Sequence, residues 1–355
     1  MTDSTGSPSR VRIGFVGAGN ATRNLHLRAL QNVADLEVVA IADPDPEALG
    51  LALQQCQTAR GVKDYQAMLA SAEVDAIAIC VPVRDHAEIA LAAMDAGKHL
   101  FIEKPLAMTI QECDQMIARG ANLPLTIQVG FNTRWHRLAR RARKLIEQGE
   151  IGKLDVLRSI LVSMHNEMSG WRKKRATGGG AILEMGVHHF DLWRFLTGLE
   201  VEEVSAQIRT GSWEDESATV SARLTNGVLA TLTLAVKTSQ NNALELYGDK
   251  GSLNLAFYRY DGLETYRPDD IPGSMADRKT RFVQGLAQLP HGIATMRRGG
   301  EWQLSYVEQW RNFVDRIQQG LPAEVGLQEG RQSLAIALAA WEASANGTTV
   351  KVPTT

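Results

Sequence analysis

One short segment of the chain carries an acid, an imidazole and a second acid at helical spacing. After three consecutive glycines, the residues from Ala181 onward are typical of a helix, and Glu184, His188 and Asp191 follow at intervals of four and three residues. Side chains at these intervals share one helical face. A carboxylate beside a group that titrates near neutrality is suited to proton transfer. His189 is turned about 100° away and is interpreted as a structural histidine.

The same face of acidic and imidazole groups is also the type of site that binds a metal ion. We predict no metal there, because the sequence shows no other ligand cluster and a glycine-rich turn elsewhere already supplies a cofactor site. The three cysteines, Cys56, Cys80 and Cys113, have no metal-ligand spacing. An odd number of unclustered thiols favours the reducing cytoplasm as the location.

A lysine follows one of the apolar strand patterns. The strand His99–Ile102 is followed directly by Glu103, Lys104 and Pro105, and the proline is a candidate for a cis peptide bond. In a parallel sheet the carboxyl ends of the strands face the ligand crevice. An ammonium group at that edge can hydrogen-bond a substrate oxygen and favour its anionic form. The other interpretation is an exposed charge at a turn.

A second strand end is predicted to line a pocket in the same ligand crevice. The strand Val74–Val81 is mostly apolar, as in a parallel sheet that is covered on both faces. His86 follows it, either as a wall of the same pocket or as a helix-start residue with no chemical role. The predicted coenzyme contacts at strand ends are Val81, Pro82, His86, Glu103 and Lys104.

The element that would hold a coenzyme lies near the N-terminus. The strand Val11–Val16 leads into a glycine-rich turn, a helix, and a second strand, Leu36–Ala42, which ends at Asp43. This order is the fingerprint of a dinucleotide-binding βαβ unit. The glycines permit a tight turn and a close approach to a pyrophosphate, which the helix N-terminus faces. Thr22 replaces the third glycine, so helix and strand are expected to pack slightly apart. The predicted contacts in the turn are Gly17, Gly19, Asn20, Ala21 and Thr22.

The residue at the end of the second strand predicts which coenzyme is bound. The Asp43 carboxylate can accept hydrogen bonds from both hydroxyls of the adenosine ribose, and it repels a 2′-phosphate. Pro44 follows, where a serine and an arginine would be expected to hold that phosphate. NAD is therefore favoured over NADP.

Several polar and aromatic residues have the chemistry needed to hold a polyol. Aromatic rings stack on the apolar faces of a sugar, and amides and guanidinium groups hydrogen-bond its hydroxyls. Each of these residues alone is more often structural. The candidate substrate contacts are Asn132, Arg134, Trp171, Arg172, His188 and Asp191.

The pattern of elements divides the chain in two. Strands and helices alternate from residue 11 to about residue 125, which predicts an α/β Rossmann domain with a doubly wound parallel sheet over residues 11–128. Thr109 followed by Glu112 has the spacing of a capping box at a helix start. Residues 1–10 are polar and lack the apolar core of a signal peptide, so we expect a flexible tail.

Strands dominate after about residue 130. Many of them alternate apolar and polar residues, which predicts an α+β domain over residues 129–355 with a large, mostly antiparallel open sheet and one exposed face. Asn226–Gly227 predicts a hairpin. Residues 268–300 give little signal, and a loop over the active site and an interface segment both remain open. The exposed face is expected to pack against another subunit, so we predict a homodimer or homotetramer.

Bulk properties exclude several classes of protein. The chain has 355 residues and a net charge of −2, so it has no electrostatic footprint for nucleic acid or an anionic membrane. No apolar run approaches the length of a membrane span. The partner that remains is a small-molecule substrate.

Taken together, these segments resemble the glucose–fructose oxidoreductase and inositol dehydrogenase (Gfo/Idh/MocA) family of NAD(P)-dependent sugar and cyclitol dehydrogenases. The resemblance runs almost from end to end, and the Glu-Lys-Pro and triple-glycine motifs make it specific. The segments that carry it are the Gly17/Gly19 turn with residues 26–30, residues 96–99 leading to Glu103-Lys104-Pro105, residues 129–132, and residues 178–180 through His188 and Asp191.

The resemblance implies roles for individual residues. It implies that Lys104 is the family's catalytic lysine, next to the nicotinamide and the reacting hydroxyl, and that His188 is the acid/base. The family usually carries aspartate where this chain has Glu184, so the same charge extends further from the helix. By resemblance, Glu184 orients His188 or binds a substrate hydroxyl. Thr22 is a second departure, since relatives have alanine or another small residue there.

The interpretation favoured by these residues is an NAD-dependent oxidoreductase acting on a hydroxyl-bearing carbon of a sugar, sugar derivative or cyclitol. It requires Lys104 and His188, from different domains, to meet at the nicotinamide. One alternative is an NAD-dependent glycosidase that acts by transient oxidation and elimination. The other is a non-catalytic NAD- and sugar-sensing regulator, which ranks lower because relatives of that kind tend to lose the lysine or histidine that this chain keeps.

Overall fold

A computed structural model describes residues 10–164 and 170–353, and the predicted N-terminal tail lies almost wholly outside them. The chain divides into two compact units. The first comprises the residues up to Phe131 together with Tyr306–Arg331, and the second comprises Asn132–Ser305 together with the residues from Gln332 onward. No helix among the described residues is long and apolar enough to cross a membrane.

The first unit is built on a six-stranded parallel sheet with strand order β3-β2-β1-β4-β5-β6. The central strands are apolar and buried on both faces, as expected for a sheet covered by helices. The predicted doubly wound Rossmann fold is therefore confirmed. Its strands are β1 (Val11–Val16), β2 (Leu36–Ala42), β3 (Arg60–Val62), β4 (Ala76–Ile79), β5 (His99–Ile102) and β6 (Ile127–Val129).

Two helices of this unit begin where the sequence supplies a hydrogen-bond cap. The Asp45 side chain accepts from the Glu47 amide with Pro46 at the first helical position, and Thr109 and Glu112 form the predicted capping box. The helices are α1 (Leu27–Leu30), α2 (Pro46–Gln55), α3 (Gln66–Leu69), α4 (His86–Asp95) and α5 (Ile110–Gly120).

The second unit contains an eight-stranded sheet with strand order β13-β12-β11-β7-β10-β9-β8-β14. All of its pairings are antiparallel except that of β7 with β10, which confirms the predicted mostly antiparallel sheet. Residues Asn226–Gly227 connect β9 to β10, as the hairpin signal predicted. The strands are β7 (Leu154–Ser163), β8 (Val201–Arg209), β9 (Ser217–Leu224), β10 (Leu229–Val236), β11 (Asn241–Gly248), β12 (Gly251–Ala256), β13 (Leu263–Tyr266) and β14 (Val350–Lys351).

Residues 132–164 and 170–353 contain five further α-helices, and two of them are shared between the units. Most of α9 (Gly300–Gln319), from Tyr306 onward, and the first turn of α10 (Leu327–Asn346) belong to the first unit, although the sequence pattern placed that segment in the second. The reason is aromatic packing: the Trp310 ring stacks on Phe101 at 4.2 Å between centroids, and Phe313 lies 5.7 Å from Trp310. The helices are α6 (Arg137–Glu147), α7 (Val187–Thr197), α8 (Met275–Arg297), α9 (Gly300–Gln319) and α10 (Leu327–Asn346).

Most of the segment with little sequence signal, residues 268–300, forms helix α8. Gly285, Pro290 and Gly292 interrupt its sequence and obscure the helical pattern. The structure therefore corrects the interpretation as a loop, whereas the interpretation as an interface segment stays a prediction. The helix exposes a row of large apolar side chains: Met275, Phe282, Val283, Leu286, Leu289, Ile293 and Met296.

Candidate functional site

The glycine-rich turn has the geometry needed for a close approach by an anionic ligand. Gly17 has φ +98°, and a Cβ atom there would lie 2.5 Å from the carbonyl oxygen of Cys80, so only glycine fits. A Cβ on Gly19 would meet no atom within 4 Å, so the space beside this residue is open. The buried Thr22 hydroxyl donates to the Gly17 carbonyl at 2.6 Å. The residue that replaces the third glycine thus closes the turn with a hydrogen bond.

Asp43 connects the end of β2 to this turn. One carboxylate oxygen accepts from the Ala18 amide at 2.7 Å, and the other accepts from the Asp45 amide at 2.9 Å. Each oxygen has a second lone pair, so both retain the capacity to accept from a ribose hydroxyl. Asn20 is exposed and Ala21 is half-buried at the start of the helix that follows the turn. These residues fit the coenzyme role predicted for them.

His86 joins two strand-end segments. Its Nδ1 lies 3.0 Å from the Pro105 carbonyl oxygen and its Nε2 lies 3.1 Å from that of Val81. Burial lowers the pKa of His86, although hydrogen bonds to the two carbonyls favour the protonated ring. The neutral ring carries one N–H, so it donates to only one of the two carbonyls at a time. Both ring nitrogens contact backbone carbonyls, those of Pro105 and Val81. Any contact of this ring with a coenzyme would therefore be made by its carbon atoms.

Glu103 is hydrogen-bonded to a buried pair of residues, His26 and Trp310, through His26. One carboxylate oxygen is 2.9 Å from His26 Nε2, the other accepts from the Lys104 amide at 3.1 Å, and the Trp310 indole donates to His26 Nδ1 at 3.2 Å. The Lys104–Pro105 peptide bond is cis, as the sequence suggested. Sequence reasoning gave no role to His26 or Trp310. Those two residues are 284 positions apart, and no local pattern could have paired them.

The helix that bears Glu184 and His188 begins with a wider turn than an α-helix. It starts at Ala181, as predicted, but Ile182–Gly186 form a π-turn in which the Val187 amide donates to the Ile182 carbonyl. Single π-turns of this kind occur frequently at functional sites. The angular positions assumed for an ideal α-helix therefore do not apply between Glu184 and His188.

The two acids of this helix each pair with an arginine that was itself a candidate substrate contact. Glu184 Oε1 lies 3.3 Å from Arg172 Nη1. Asp191 is fully buried and accepts two hydrogen bonds from Arg134, at 2.7 and 2.6 Å. His188 is half-buried between them along the chain. The structure therefore groups four of the predicted site residues into two ion pairs.

His189 has the structural role that its position on the helix predicted. It is buried and its Nε2 lies 3.1 Å from the Asn242 amide oxygen. Burial lowers the pKa of His189 to about 4, against the effect of that hydrogen bond, so the ring is neutral at physiological pH.

The remaining candidate substrate contacts differ in exposure. Asn132 is buried, and its amide nitrogen donates to the Ser305 hydroxyl at 3.0 Å. Its amide oxygen is buried and has no hydrogen-bond partner within residues 10–164 and 170–353. A buried acceptor is normally hydrogen-bonded, so this oxygen has the capacity to accept from a ligand hydroxyl. Trp171 and Arg172 are half-buried, with the guanidinium 5.1 Å from the ring centroid.

The triple glycine is explained by packing at the start of the same helix. A Cβ on Gly179 would collide with the Arg172 backbone, and one on Gly180 would lie 2.6 Å from a carboxylate oxygen of Asp215. Asp215 is fully buried, bonds to Arg175, and accepts from the Trp341 indole at 2.6 Å. These contacts fix the loop that leads into the helix of Glu184.

The structure shows no candidate metal centre in the part of the chain that it describes. No group of three or more His, Cys, Asp or Glu side chains is arranged there to hold a metal ion. The three cysteines are free thiols.

Two family models match the chain, one in its N-terminal part and one further along the chain. Residues 11–131 match the GFO/IDH/MocA oxidoreductase family with its NAD-binding Rossmann fold. Residues 139–254 match the GFO/IDH/MocA C-terminal domain. Both matches are to the family that the sequence segments resemble.

Curated relatives and solved structures agree with these matches. Myo-inositol 2-dehydrogenase of Thermotoga maritima is 25% identical over 339 residues, which cover 93% of this chain and 95% of that protein. A dTDP-3,4-didehydro-2,6-dideoxy-alpha-D-glucose 3-reductase of Saccharopolyspora spinosa is 30% identical over 68% of this chain and 74% of its own length. A levoglucosan dehydrogenase in complex with NADH is 22% identical, with a TM-score of 0.83 over 98% of this chain and 100% of its own, which shows the fold.

Proposed function

Because this chain belongs to the GFO/IDH/MocA family of oxidoreductases, we propose that it transfers a hydride between the nicotinamide of NAD and a hydroxyl-bearing carbon of a sugar, a sugar derivative or a cyclitol. The observation that carries the proposal is the first unit's glycine turn, in which Gly17 admits no side chain, the space beside Gly19 is open, and Asp43 lies at the next strand end. The names of the curated relatives support the substrate class.

The residues proposed to hold the coenzyme are those of the turn and of the strand ends. When bound, NAD supplies the carbon that accepts the hydride. The backbone of the turn binds the pyrophosphate, and the Asp43 carboxylate binds the ribose hydroxyls. The strand-end contacts are Val81, Pro82, His86, Glu103 and Lys104.

In the proposed reaction, His188 handles the hydroxyl proton and Lys104 handles the charge on the substrate oxygen. As the hydride leaves the carbinol carbon, His188 accepts the hydroxyl proton and Lys104 stabilises the negative charge that develops on the oxygen. The product is a ketone, and the proton resides on His188. Glu184 orients His188 or binds a substrate hydroxyl. Asn132, Arg134, Trp171, Arg172 and Asp191 remain the candidate substrate contacts.

The coenzyme preference is tested by removing one charge. We expect Asp43→Asn to lower the ratio of kcat/KM for NAD to that for NADP by about tenfold or more, because a carboxylate close to a 2′-phosphate repels it. Asparagine preserves size but accepts only one of the two backbone hydrogen bonds. The readout is therefore the ratio, which a general loss of affinity leaves unchanged. An unaltered ratio would contradict the assignment of Asp43.

The activity itself is tested with a panel of sugars and cyclitols. The proposal expects a ketone product and NADH in equal amounts, measured by absorbance and product analysis. Release of a free aglycone with no net NADH would identify the glycosidase reaction instead. Tight NAD binding with no turnover on the whole panel would favour a sensor.

We also propose a homodimer or homotetramer that assembles through the exposed face of the second unit's sheet, in the cytoplasm, where free thiols persist. The centre of this face is a flat patch of short hydroxyl side chains, in which Thr231 pairs with Ser221 and Thr233 pairs with Thr219. All four of these residues are exposed. Such a face can approach its own copy closely.

A bulky charge in that patch is expected to break the assembly. Thr231→Arg should halve the molar mass measured by light scattering, whereas Thr58→Arg, at an exposed threonine of the first unit, should not change it. An unchanged mass in Thr231→Arg would contradict the sheet interface. A fall in mass in the double variant Leu286→Glu and Leu289→Glu would locate the interface on α8 instead.

A further inference from the structure

Glu103, whose side chain is 13% exposed, is adjacent in the chain to the lysine proposed to act on substrate. It lies just beyond the carboxyl end of β5, and its charge interacts with that of Lys104. Burial by itself would raise the pKa of Glu103, but the hydrogen bond with His26, the charge of Lys104 and the Lys104 amide outweigh it and hold the pKa below its usual value. Glu103 is therefore ionised at physiological pH.

The hydrogen bonds of the network require Glu103 to be an acceptor at both oxygens. The Trp310 indole N–H can only donate, so His26 Nδ1 must be the acceptor and the ring proton must be on Nε2. That N–H then donates to one oxygen of Glu103, while the Lys104 amide donates to the other. A neutral glutamine at this position would have to turn its NH₂ group toward one of these two donors. The network is therefore satisfied only when Glu103 carries a negative charge.

We propose that Glu103 is a charge-compensating residue of the coenzyme site, which offsets the ammonium group of Lys104 so that the oxidised, cationic form of the nicotinamide can bind beside it. This inference rests on the proposed function, in that it requires the chain to bind NAD. The physical reason is simple. The nicotinamide ring carries a positive charge in NAD⁺ and none in NADH, so a lysine at the carboxyl edge of the sheet disfavours the oxidised form.

The proposal concerns the ratio of two affinities and therefore needs no substrate. For a carboxylate that compensates the lysine, Glu103→Gln should weaken NAD⁺ binding selectively and raise Kd(NAD⁺)/Kd(NADH) by about tenfold, the scale of one charge acting over several ångströms in a partly buried site. The measurement is isothermal titration of the purified full chain with NAD⁺ and with NADH. Glu103→Asp, which keeps the charge, should keep the ratio near that of the parent protein.

A matched control distinguishes the effect of removing the Glu103 charge from the effect of removing a carboxylate elsewhere in the first unit. Glu112 also accepts backbone amides, from Met108 and Thr109 at 2.9 Å each, but it caps α5 and is not bonded to His26. Glu112→Gln is expected to leave the ratio unchanged. A rise in the ratio for Glu112→Gln as large as that for Glu103→Gln would overturn the proposal.

A second variant makes the test independent of whether Glu103→Gln folds. Lys104→Met removes the charge that Glu103 is proposed to offset, so the ratio should move in the opposite direction by a similar factor, and the double variant should return toward the parent value. An unchanged ratio in Lys104→Met, or in folded Glu103→Gln, overturns the inference while coenzyme binding upholds the proposed function. Failure of the parent protein to bind either form overturns both.

Discussion

Replacing either Lys104 or His188 by alanine is expected to lower turnover at least about a hundredfold while NAD binding survives. The reason is that both groups are proposed to act on the reacting hydroxyl, and neither is proposed to hold the pyrophosphate or the ribose. Loss of His188 would remove the proposed proton acceptor, and loss of Lys104 would remove the charge proposed to stabilise the developing alkoxide. The measurement is kcat with a substrate found in the sugar and cyclitol panel, alongside NAD⁺ titration of each variant.

Control variants for both residue types are available. Lys144 is exposed on α6 and His291 lies on α8, where it pairs with Glu301, so Lys144→Ala and His291→Ala remove the same chemical groups from residues that are not site candidates. Both should retain the parent turnover. The double variant of Lys104 and His188 should be only slightly slower than the worse single variant, because the two groups serve one step. Parent-level turnover in either single variant would refute its assignment.

Local sequence signals predicted the βαβ unit that carries Gly17 and Asp43. The strand, glycine turn and Asp43 lie within one βαβ unit, so their geometry follows from neighbouring residues and from the hand of the chain. The same is true of the capping box at Thr109 and the cis bond at Pro105, both of which the structure contains. These features need no long-range contact.

What the sequence could not supply is the identity of long-range partners. The Trp310 indole, from α9, donates to His26 Nδ1, so His26 Nε2 is left to donate to Glu103. The π-turn before α7 is equally invisible, because a helical pattern does not show that one residue has been added to a turn. In both cases the residue type is evident from the sequence, whereas the partner depends on tertiary packing.

The candidate substrate residues show the same limit. Arginine, asparagine and aspartate were chosen because their chemistry suits a polyol, and the structure describes them in protein hydrogen bonds. A guanidinium has more donors than one carboxylate can accept, so pairing with protein does not by itself preclude a contact with substrate. A contact of Arg134 and Asp191 with substrate would change KM, whereas their role in folding would change the free energy of unfolding, so the two roles can be measured separately.

The pair of Arg134 and Asp191 is expected to have the largest effect on stability. Removing one member of the pair, in Arg134→Ala or in Asp191→Ala, should lower the free energy of unfolding by about 3–5 kcal/mol, because the buried guanidinium and carboxylate then no longer neutralise each other. Both carboxylate oxygens of Asp191 are bonded to the guanidinium, and the Asp191 side chain has no exposed surface. The measurement is urea unfolding of each variant at fixed pH.

A matched control and a double variant distinguish the pair's two roles. Arg143 and Glu147 form an exposed pair at 2.7 Å, so Glu147→Gln should cost no more than about 1 kcal/mol. The double variant Arg134→Met and Asp191→Leu should be more stable than either single variant, because both buried charges are then removed together. If that folded double variant keeps the parent KM, the pair serves the fold alone. A raised KM with normal NAD⁺ binding would show that it also contacts the substrate, and equal stability of single and double variants would contradict the buried-pair argument.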